Sequence, residues 1–106
     1  MSGFDKREKD EETKFKHDQE LQFKVMSRRN KLLGLWAANL MGLSGQAAND
    51  YAITVVHADV EEAGEEDVVR KVLADFAAKG ADVDEHKVRK RMAELMHEAK
   101  RQVMTD

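Results

Sequence analysis

Apolar residues recur at every third or fourth position through most of the chain, which is the spacing of an amphipathic helix and not the alternation of a strand. The first predicted helix begins near Asp18, and its second half has almost no polar residues, so we expect that half to be buried. Its two apolar rows are Leu21, Val25, Leu32, Trp36, Leu40 and Leu43, and Phe23, Met26, Leu33 and Leu35. Gly42 and Gly45 then mark a stop and a restart, with Ser44 as the expected N-cap of the next helix.

Three further helices follow from the same spacing. The second is predicted over residues 45–59, and the third over residues 65–79, with an acidic first turn and Gly80 just past its end. The fourth follows Asp82, an acidic N-cap with Glu85 three residues later in a capping-box arrangement. The expected buried residues are Ala48, Tyr51, Ala52, Val55 and Val56, then Val69, Val72, Leu73 and Phe76, then Val88, Met92, Leu95, Met96, Ala99 and Val103. We therefore predict an all-α fold, a four-helix bundle over residues 19–106.

Residues 1–18 differ from the rest because most are charged and few are sizeable apolar groups. Such a segment buries too little surface to offset its ordering entropy, so alone we expect a disordered or nascent-helical arm. It contains no Pro, and its acidic residues 10–12 precede Lys14 and Lys16 at helical pairing distances, so a partner could fold it into a helix. Phe4 and Phe15 suit anchors for a groove in another protein, and the alternative is that they are chance apolar residues in a tail.

Composition limits the classes of protein to be considered. The chain has 106 residues, of which 42% are hydrophobic and 37% charged, so it is one small domain, or one domain plus a tail, and not a multidomain enzyme. It has no Cys, which excludes disulfides, thiolate metal sites and cysteine nucleophiles. The most apolar window, residues 32–43, is shorter than the roughly 20 residues of a membrane-spanning helix, so we expect a soluble protein. The absence of Cys suits a reducing cytosol. The aromatic residues fall mostly at core positions and not among the basic clusters, so we expect no nucleic-acid partner.

No motif for catalysis stands out. No acid–base pair or nucleophile is arranged as in a known active site, so we expect no enzyme and no catalytic residues. His57 and Glu61 would share one helix face, but two ligands do not make a metal site, and we expect none. The glycines at 42 and 45 lack the spacing and the lysine of a phosphate loop and indicate a turn.

Basic residues in the first helix have two interpretations. Arg28, Arg29 and Lys31, together with the basic last helix, could hold a nucleotide phosphate, or they could form a solvated basic ridge. Residues 32–69 contain no Lys or Arg and several acids, whereas the last helix is rich in cations. This distribution indicates either charge pairing within the molecule or a docking surface with two poles.

Five short stretches of the chain have distinctive amino-acid sequences. They are RNKLLGLWAA at 29–38, MGLSG at 41–45, YA at 51–52, VV at 55–56 and DVVRKV at 67–72. Together they resemble the zeta subunit family, the small α-proteobacterial inhibitors of the F-type ATP synthase. The start, FDKREK at 4–9 followed by KF at 14–15 and HD at 17–18, is similar to the N-terminal arm of the same family. The resemblance covers nearly the whole chain.

The resemblance implies a monomeric bundle that presents residues 1–18 as an inhibitory arm to the catalytic head of the synthase. There the arm folds as a helix at a catalytic α/β interface near γ and blocks ATP hydrolysis at the cytoplasmic face of the inner membrane. The implied contact residues are Phe4, Asp5, Arg7, Glu8, Lys9 and Phe15. The resemblance also implies nucleotide binding on the bundle, so the alternative is a helical sensor or adaptor for ADP or ATP, with weak or no inhibition.

Overall fold

Four α-helices make up most of the described part of the chain, which in the computed structural model comprises residues 19–58 and 65–105. They are α1 (Gln19–Leu40), α2 (Gly45–Ala58), α3 (Glu65–Lys79) and α4 (Glu85–Thr105). No strand occurs in these two ranges, and the all-α prediction is confirmed. The predicted arm at 1–18 and the acidic residues between 59 and 64 lie outside the described residues.

Two helices end at glycines, as the sequence predicts. Gly80 has a φ of 72°, and the amide of Ala81 donates to the carbonyl of Phe76 at 2.8 Å. Gly42 has a φ of 83° and follows the end of α1 with the same type of bond. This left-handed conformation is accessible to glycine without strain, and the reversed turn satisfies carbonyl groups at the helix end.

The start of α4 differs from the prediction. Asp84 is the N-cap, because its Oδ1 accepts a hydrogen bond from the amide of Lys87 at 2.8 Å. Glu85 is the first residue of the helix, so the capping box predicted from Asp82 and Glu85 is wrong. Val83 packs against the core, and this contact keeps the preceding segment outside the helix.

The first helix contacts each of the other three, and so does α3. α1 packs against α2, α4 and α3, while α3 also packs against α2 and α4. Near the start of α3, Glu65 lies 3.2 Å from Arg29 of α1. Near its end, the Phe76 ring lies 5.9 Å from the Trp36 ring, edge to face. α1 and α3 therefore run in the same direction, as the alternate helices of an up-and-down bundle do.

Buried apolar side chains from all four helices form one core. Its members are Leu33, Ala37, Val55, Val68, Val69, Val72, Phe76, Val88, Met92 and Leu95. The predictions for α2, α3 and α4 are confirmed for most positions, while Tyr51, Val56, Leu73, Met96 and Val103 are only half-buried. Helical periodicity therefore identifies the buried face of these three helices.

The buried face of α1 is narrower than predicted and contains smaller side chains. Phe23 and Leu40, both expected on apolar rows, are 69% and 42% exposed. The buried residues are Val25, Arg29, Asn30, Leu33, Gly34, Ala37 and Ala38. The prediction for Phe23 and Leu40 is wrong because the close contact of α1 with α2 selects the face with the smallest residues.

Gly34 is a point of close approach between α1 and α2. A Cβ atom at this position would lie 2.6 Å from the Cα atom of Ala52, which is closer than real Cβ contacts come. A glycine inside a helix is less favourable than alanine by about 1 kcal/mol. Here the absent side chain allows the two backbones to pack directly.

A polar contact joins α2 to α3. The hydroxyl of Tyr51 donates to Oδ2 of Asp75 at 2.8 Å, and Nζ of Lys71 donates to the same oxygen at 3.0 Å. Burial of the phenol, together with the hydrogen bond to Asp75, raises the pKa of Tyr51 well above its usual range. The phenol therefore stays protonated and remains a hydrogen-bond donor at physiological pH.

Replacing Gly34 with alanine should lower the free energy of unfolding by about 1–2 kcal/mol, because the overpacking cost exceeds the gain in helix propensity. Urea denaturation of the two proteins measures the difference. Ala93→Gly is the control. Position 93 is exposed on α4, so this change measures the difference in helix propensity between alanine and glycine without a packing contribution. A Gly34→Ala protein more stable than the parent would show that the two helices can separate without cost.

Candidate functional site

A cavity of about 450 Å³ opens beside the first half of α1. We call it the basic cavity, and its lining residues are Phe23, Lys24, Ser27, Arg28, Lys31, Val56 and Val103. Three of the seven carry a positive charge, and none of these described residues carries a carboxylate. The cavity therefore combines a cationic side with an apolar side.

The spacing of the three cations along α1 places them together. Lys24, Arg28 and Lys31 are separated by four and then three residues, which is one face of a helix. The apolar side comes from the neighbours of α1, since Val56 belongs to α2 and Val103 to α4. The site therefore depends on the packing of three helices.

Arg28 is held in place by α4. Its Nη1 donates to Oε1 of Gln102 at 2.8 Å, and Nε2 of Gln102 donates to Oε1 of Glu98 at 3.1 Å. Hydrogen bonds from Arg101 and Gln102 lower the pKa of Glu98 to about 2, so this carboxylate stays ionised. The bond to Gln102 fixes the guanidinium at the cavity, and hydrogen bonds from a guanidinium to an anion are among the stronger ones in proteins.

Two of the three predicted phosphate-binding residues lie together, and the third does not. Arg28 and Lys31 both line the basic cavity, whereas Arg29 is fully buried between helices. Nε and Nη2 of Arg29 donate to Oδ1 of Asn30 at 3.0 and 2.9 Å, and Nη1 donates to Oε1 of Glu65 at 3.2 Å. The structure therefore separates Arg29, which joins α1 to α3, from the two neighbours with which the sequence grouped it.

The sequence contains a signal for this separation. Arg29 lies four residues after Val25 and four before Leu33, both buried, so helical spacing places it on the inner face. The same four-residue spacing places Lys24 beside Arg28 on one face of α1. Neither Lys24 nor Phe23 is among the site residues predicted from sequence. A helical projection of the cations would have identified the basic cavity more closely than their adjacency in sequence.

The basic residues of α4 contribute to a second, separate cavity. It has a volume of about 260 Å³ and is lined by Trp36, Lys87, Lys90, Arg91 and Glu94. The sequence predicted that basic residues of the last helix would help those of α1 to hold a phosphate. Among the described residues, α4 instead contributes the side chain of Val103 to the basic cavity and the hydrogen bond from Gln102 to Arg28.

The acids in the first turn of α3 pair within the molecule. Glu65 pairs with Arg29, and Glu66 pairs with Arg89 of α4 at 2.8 Å. The hydrogen bond and the charge of Arg89 lower the pKa of Glu66. These contacts favour the interpretation of charge pairing within the molecule for this part of the acidic segment.

Several of the predicted residues lie outside the described residues. The arm residues Phe4, Asp5, Arg7, Glu8, Lys9 and Phe15 lie outside the described residues, as does Glu61, the suggested partner of His57. Across residues 19–58 and 65–105, no cluster of three His, Asp or Glu side chains is placed to hold a metal ion. In the same part of the chain, no helix combines the length and the apolar character needed to cross a bilayer.

Comparison with known proteins links the chain to a regulatory family. A family model described as "ATPase inhibitor subunit zeta" matches residues 1–102. A solved solution NMR structure is 53% identical in sequence, with a TM-score of 0.72, over 80% of this chain and 96% of that chain. No curated protein matches the chain. The family model is therefore the comparison that bears on function.

Replacing Glu65 with Gln should lower the free energy of unfolding by about 1–2 kcal/mol, because the buried guanidinium of Arg29 then loses the ion pair with Glu65. Glu66→Gln is the matched control and should cost much less, since its partner Arg89 is 37% exposed and water can replace the contact. Urea denaturation of both variants at neutral pH gives the comparison. Equal losses would show that the buried Arg29 does not depend on Glu65.

Proposed function

Because the chain belongs to the ATPase inhibitor subunit zeta family, we propose that it inhibits ATP hydrolysis by the F-type ATP synthase and catalyses no reaction itself. The observation that carries this proposal is the extent of the family match. It runs from residue 1 to residue 102 and so includes the charged N-terminal segment as well as the four helices. Both parts of the chain therefore belong to the inhibitor family.

In the mechanism that we propose, residues 1–17 insert as a helix at a catalytic α/β interface near γ. The absence of Pro and the pairing of opposite charges at helical spacing support a helix in this segment. Phe4 and Phe15 would be its apolar anchors, and Asp5, Arg7, Glu8 and Lys9 would give register through charge. A helix wedged there opposes the closure of the interface and the rotation of γ, so hydrolysis stops mechanically.

The four helices form the bundle from which the proposed arm extends before α1. Described side chains from all four helices form the core, so we expect the bundle to fold without the arm. The proposed partners are the α, β and γ subunits of the catalytic head, on the cytoplasmic face of the inner membrane. The free chain is proposed to be a monomer.

Deleting residues 1–17 should abolish inhibition of ATP hydrolysis, because the inserted element is lost while the bundle remains folded. The assay uses the isolated catalytic head of an α-proteobacterial ATP synthase, with the intact or the shortened chain added. Thermal unfolding of the shortened chain checks that the bundle persists. Full inhibition by the shortened chain would contradict the arm mechanism.

A finer version of the same test uses side chains alone. Phe4→Ala combined with Phe15→Ala should weaken inhibition if these residues anchor the arm. Met104→Ala is the control, since Met104 is an apolar residue of α4 that is 65% exposed and lies far from the arm in sequence. Equal effects of the two changes would remove the assigned role of the phenylalanines.

The basic cavity supports a second candidate function, binding of ADP or ATP. Lys24, Arg28 and Lys31 supply cations for the phosphates, and the ring of Phe23, which is 69% exposed, offers a face for the base. Arg29 belonged to the predicted set, but its buried guanidinium is directed to Asn30 and Glu65. In this proposal the nucleotide-binding residues are therefore Arg28 and Lys31, joined by Lys24 and Phe23.

ADP titrated into the ¹⁵N-labelled chain should shift the amide signals of Lys24, Arg28 and Lys31. Lys31→Gln should weaken the binding about tenfold, the effect of losing one charge-assisted contact. Lys87→Gln, in the second cavity, is the matched control and should leave the affinity unchanged. Absence of shifts at millimolar ADP, or equal weakening by both changes, would exclude the basic cavity as a nucleotide site.

A further inference from the structure

The second cavity combines a tryptophan with three cations. Trp36 of α1 lines it together with Lys87, Lys90 and Arg91 of α4, and one further described lining residue, Glu94, carries a carboxylate. Glu94 pairs with Arg91 at 3.1 Å, so its charge is offset within the cavity itself. The described lining therefore has an excess of positive charge beside an aromatic ring.

This face of α4 differs from the face that pairs with α3. Lys87 and Arg91 are four residues apart and share one side of the helix, whereas Arg89, which binds Glu66 of α3, lies about 200° around the axis from Lys87. Among the described residues, no ion pair uses Nζ of Lys87 or Lys90. Both lysines are exposed. The charge pairing of α3 with α4 in the described part of the chain therefore does not extend to the second cavity.

The size of the second cavity suits one side chain of a partner protein. Its volume is about 260 Å³, whereas sites for small molecules have about 300–1,000 Å³. Trp36 and Arg91 are of the residue types that contribute most to binding in protein interfaces. The ring of Phe76 packs against the Trp36 ring edge to face at 5.9 Å, so the indole is held in place. These features are typical of an anchor pocket in a protein interface.

Arg91 has hydrogen-bonding capacity beyond its contact with Glu94. Its Nη1 donates to Oε1 of Glu94 at 3.1 Å, while its Nε is buried and has no hydrogen-bond partner among the described residues. A buried donor without an acceptor is unfavourable. A carboxylate brought to this guanidinium by a partner would supply an acceptor, and charge-assisted hydrogen bonds of this kind are strong.

We propose that the second cavity is a docking site for an acidic segment of another protein. The segment places one apolar side chain against Trp36 and carboxylates on Lys87, Lys90 and Arg91. Charge complementarity selects this occupant, because the excess of positive charge attracts an acidic segment and repels a basic one. The proposal goes beyond the inhibition of ATP hydrolysis, since the contact lies on the bundle and does not involve residues 1–17.

The indole signal of Trp36 measures occupancy of the second cavity in the full chain. Trp36 is the single tryptophan, so the ¹⁵N-labelled chain gives one indole N–H signal. The ligand for the titration is a short synthetic peptide that carries one leucine between glutamates on both sides. We expect the signal to shift and to saturate at millimolar peptide. The same peptide with serine in place of leucine should shift it much less, because no apolar side chain enters the cavity.

Two pairs of substitutions separate the second cavity from general attraction between opposite charges. Lys87→Gln with Lys90→Gln should weaken peptide binding about fivefold, the effect of losing two exposed charge pairs. Lys24→Gln with Lys31→Gln is the matched control, because it removes the same charge from exposed positions of the basic cavity. This control should change the affinity less than about twofold, since only long-range attraction is lost.

An indole signal that does not move at millimolar peptide would overturn the proposal. So would equal weakening by the two pairs of substitutions, or equal shifts with the leucine and serine peptides. An indole signal that moves when the chain alone is diluted would show that a second copy occupies the cavity, and would overturn the choice of another protein as the partner. The titration contains no ATP synthase, so its outcome is independent of inhibition.

Discussion

The close approach of α1 to α2 at Gly34 determines which face of α1 is buried. The contact brings the position of a Gly34 side chain within 2.6 Å of the Ala52 backbone, and Ala38 and Ala48 are also buried small residues of these two helices. Small residues lower the hydrophobic area that each position contributes, but they allow backbone packing over a longer stretch. The rotation of α1 about its axis follows from this contact and not from its largest apolar residues.

That rotation gives the adjacent residues Arg28 and Arg29 different surroundings. Arg29 points inward, where Asn30 and Glu65 satisfy its donors and connect α1 to α3. Arg28 points to the other side, where it joins Lys24 and Lys31 beside the apolar groups of α2 and α4. A buried guanidinium needs several partners with good geometry, whereas a guanidinium at a cavity can offer donors to a ligand. One geometric constraint thus produces a structural cation and a candidate binding surface.

Most of the fold could be predicted from sequence, because amphipathic spacing and glycine stops act locally. The end of α3 at Gly80 and the buried face carrying Val72 and Phe76 are examples. The exposure of Phe23 and the apolar side of the basic cavity could not be predicted, because both depend on how α1 is rotated against its neighbours. The role of Arg29 lies between these cases, since its spacing from Val25 indicated an inner position but its partner Glu65 comes from a distant helix.

The packing of Trp36 has an optical consequence. It is the single tryptophan of the chain, and its ring meets Phe76 edge to face across the α1–α3 contact. Its indole is half-buried and does not belong to the lining of the basic cavity. Intrinsic fluorescence of this chain therefore reports the separation of α1 from α3, while ligands that enter the basic cavity leave the emitting group in its original surroundings.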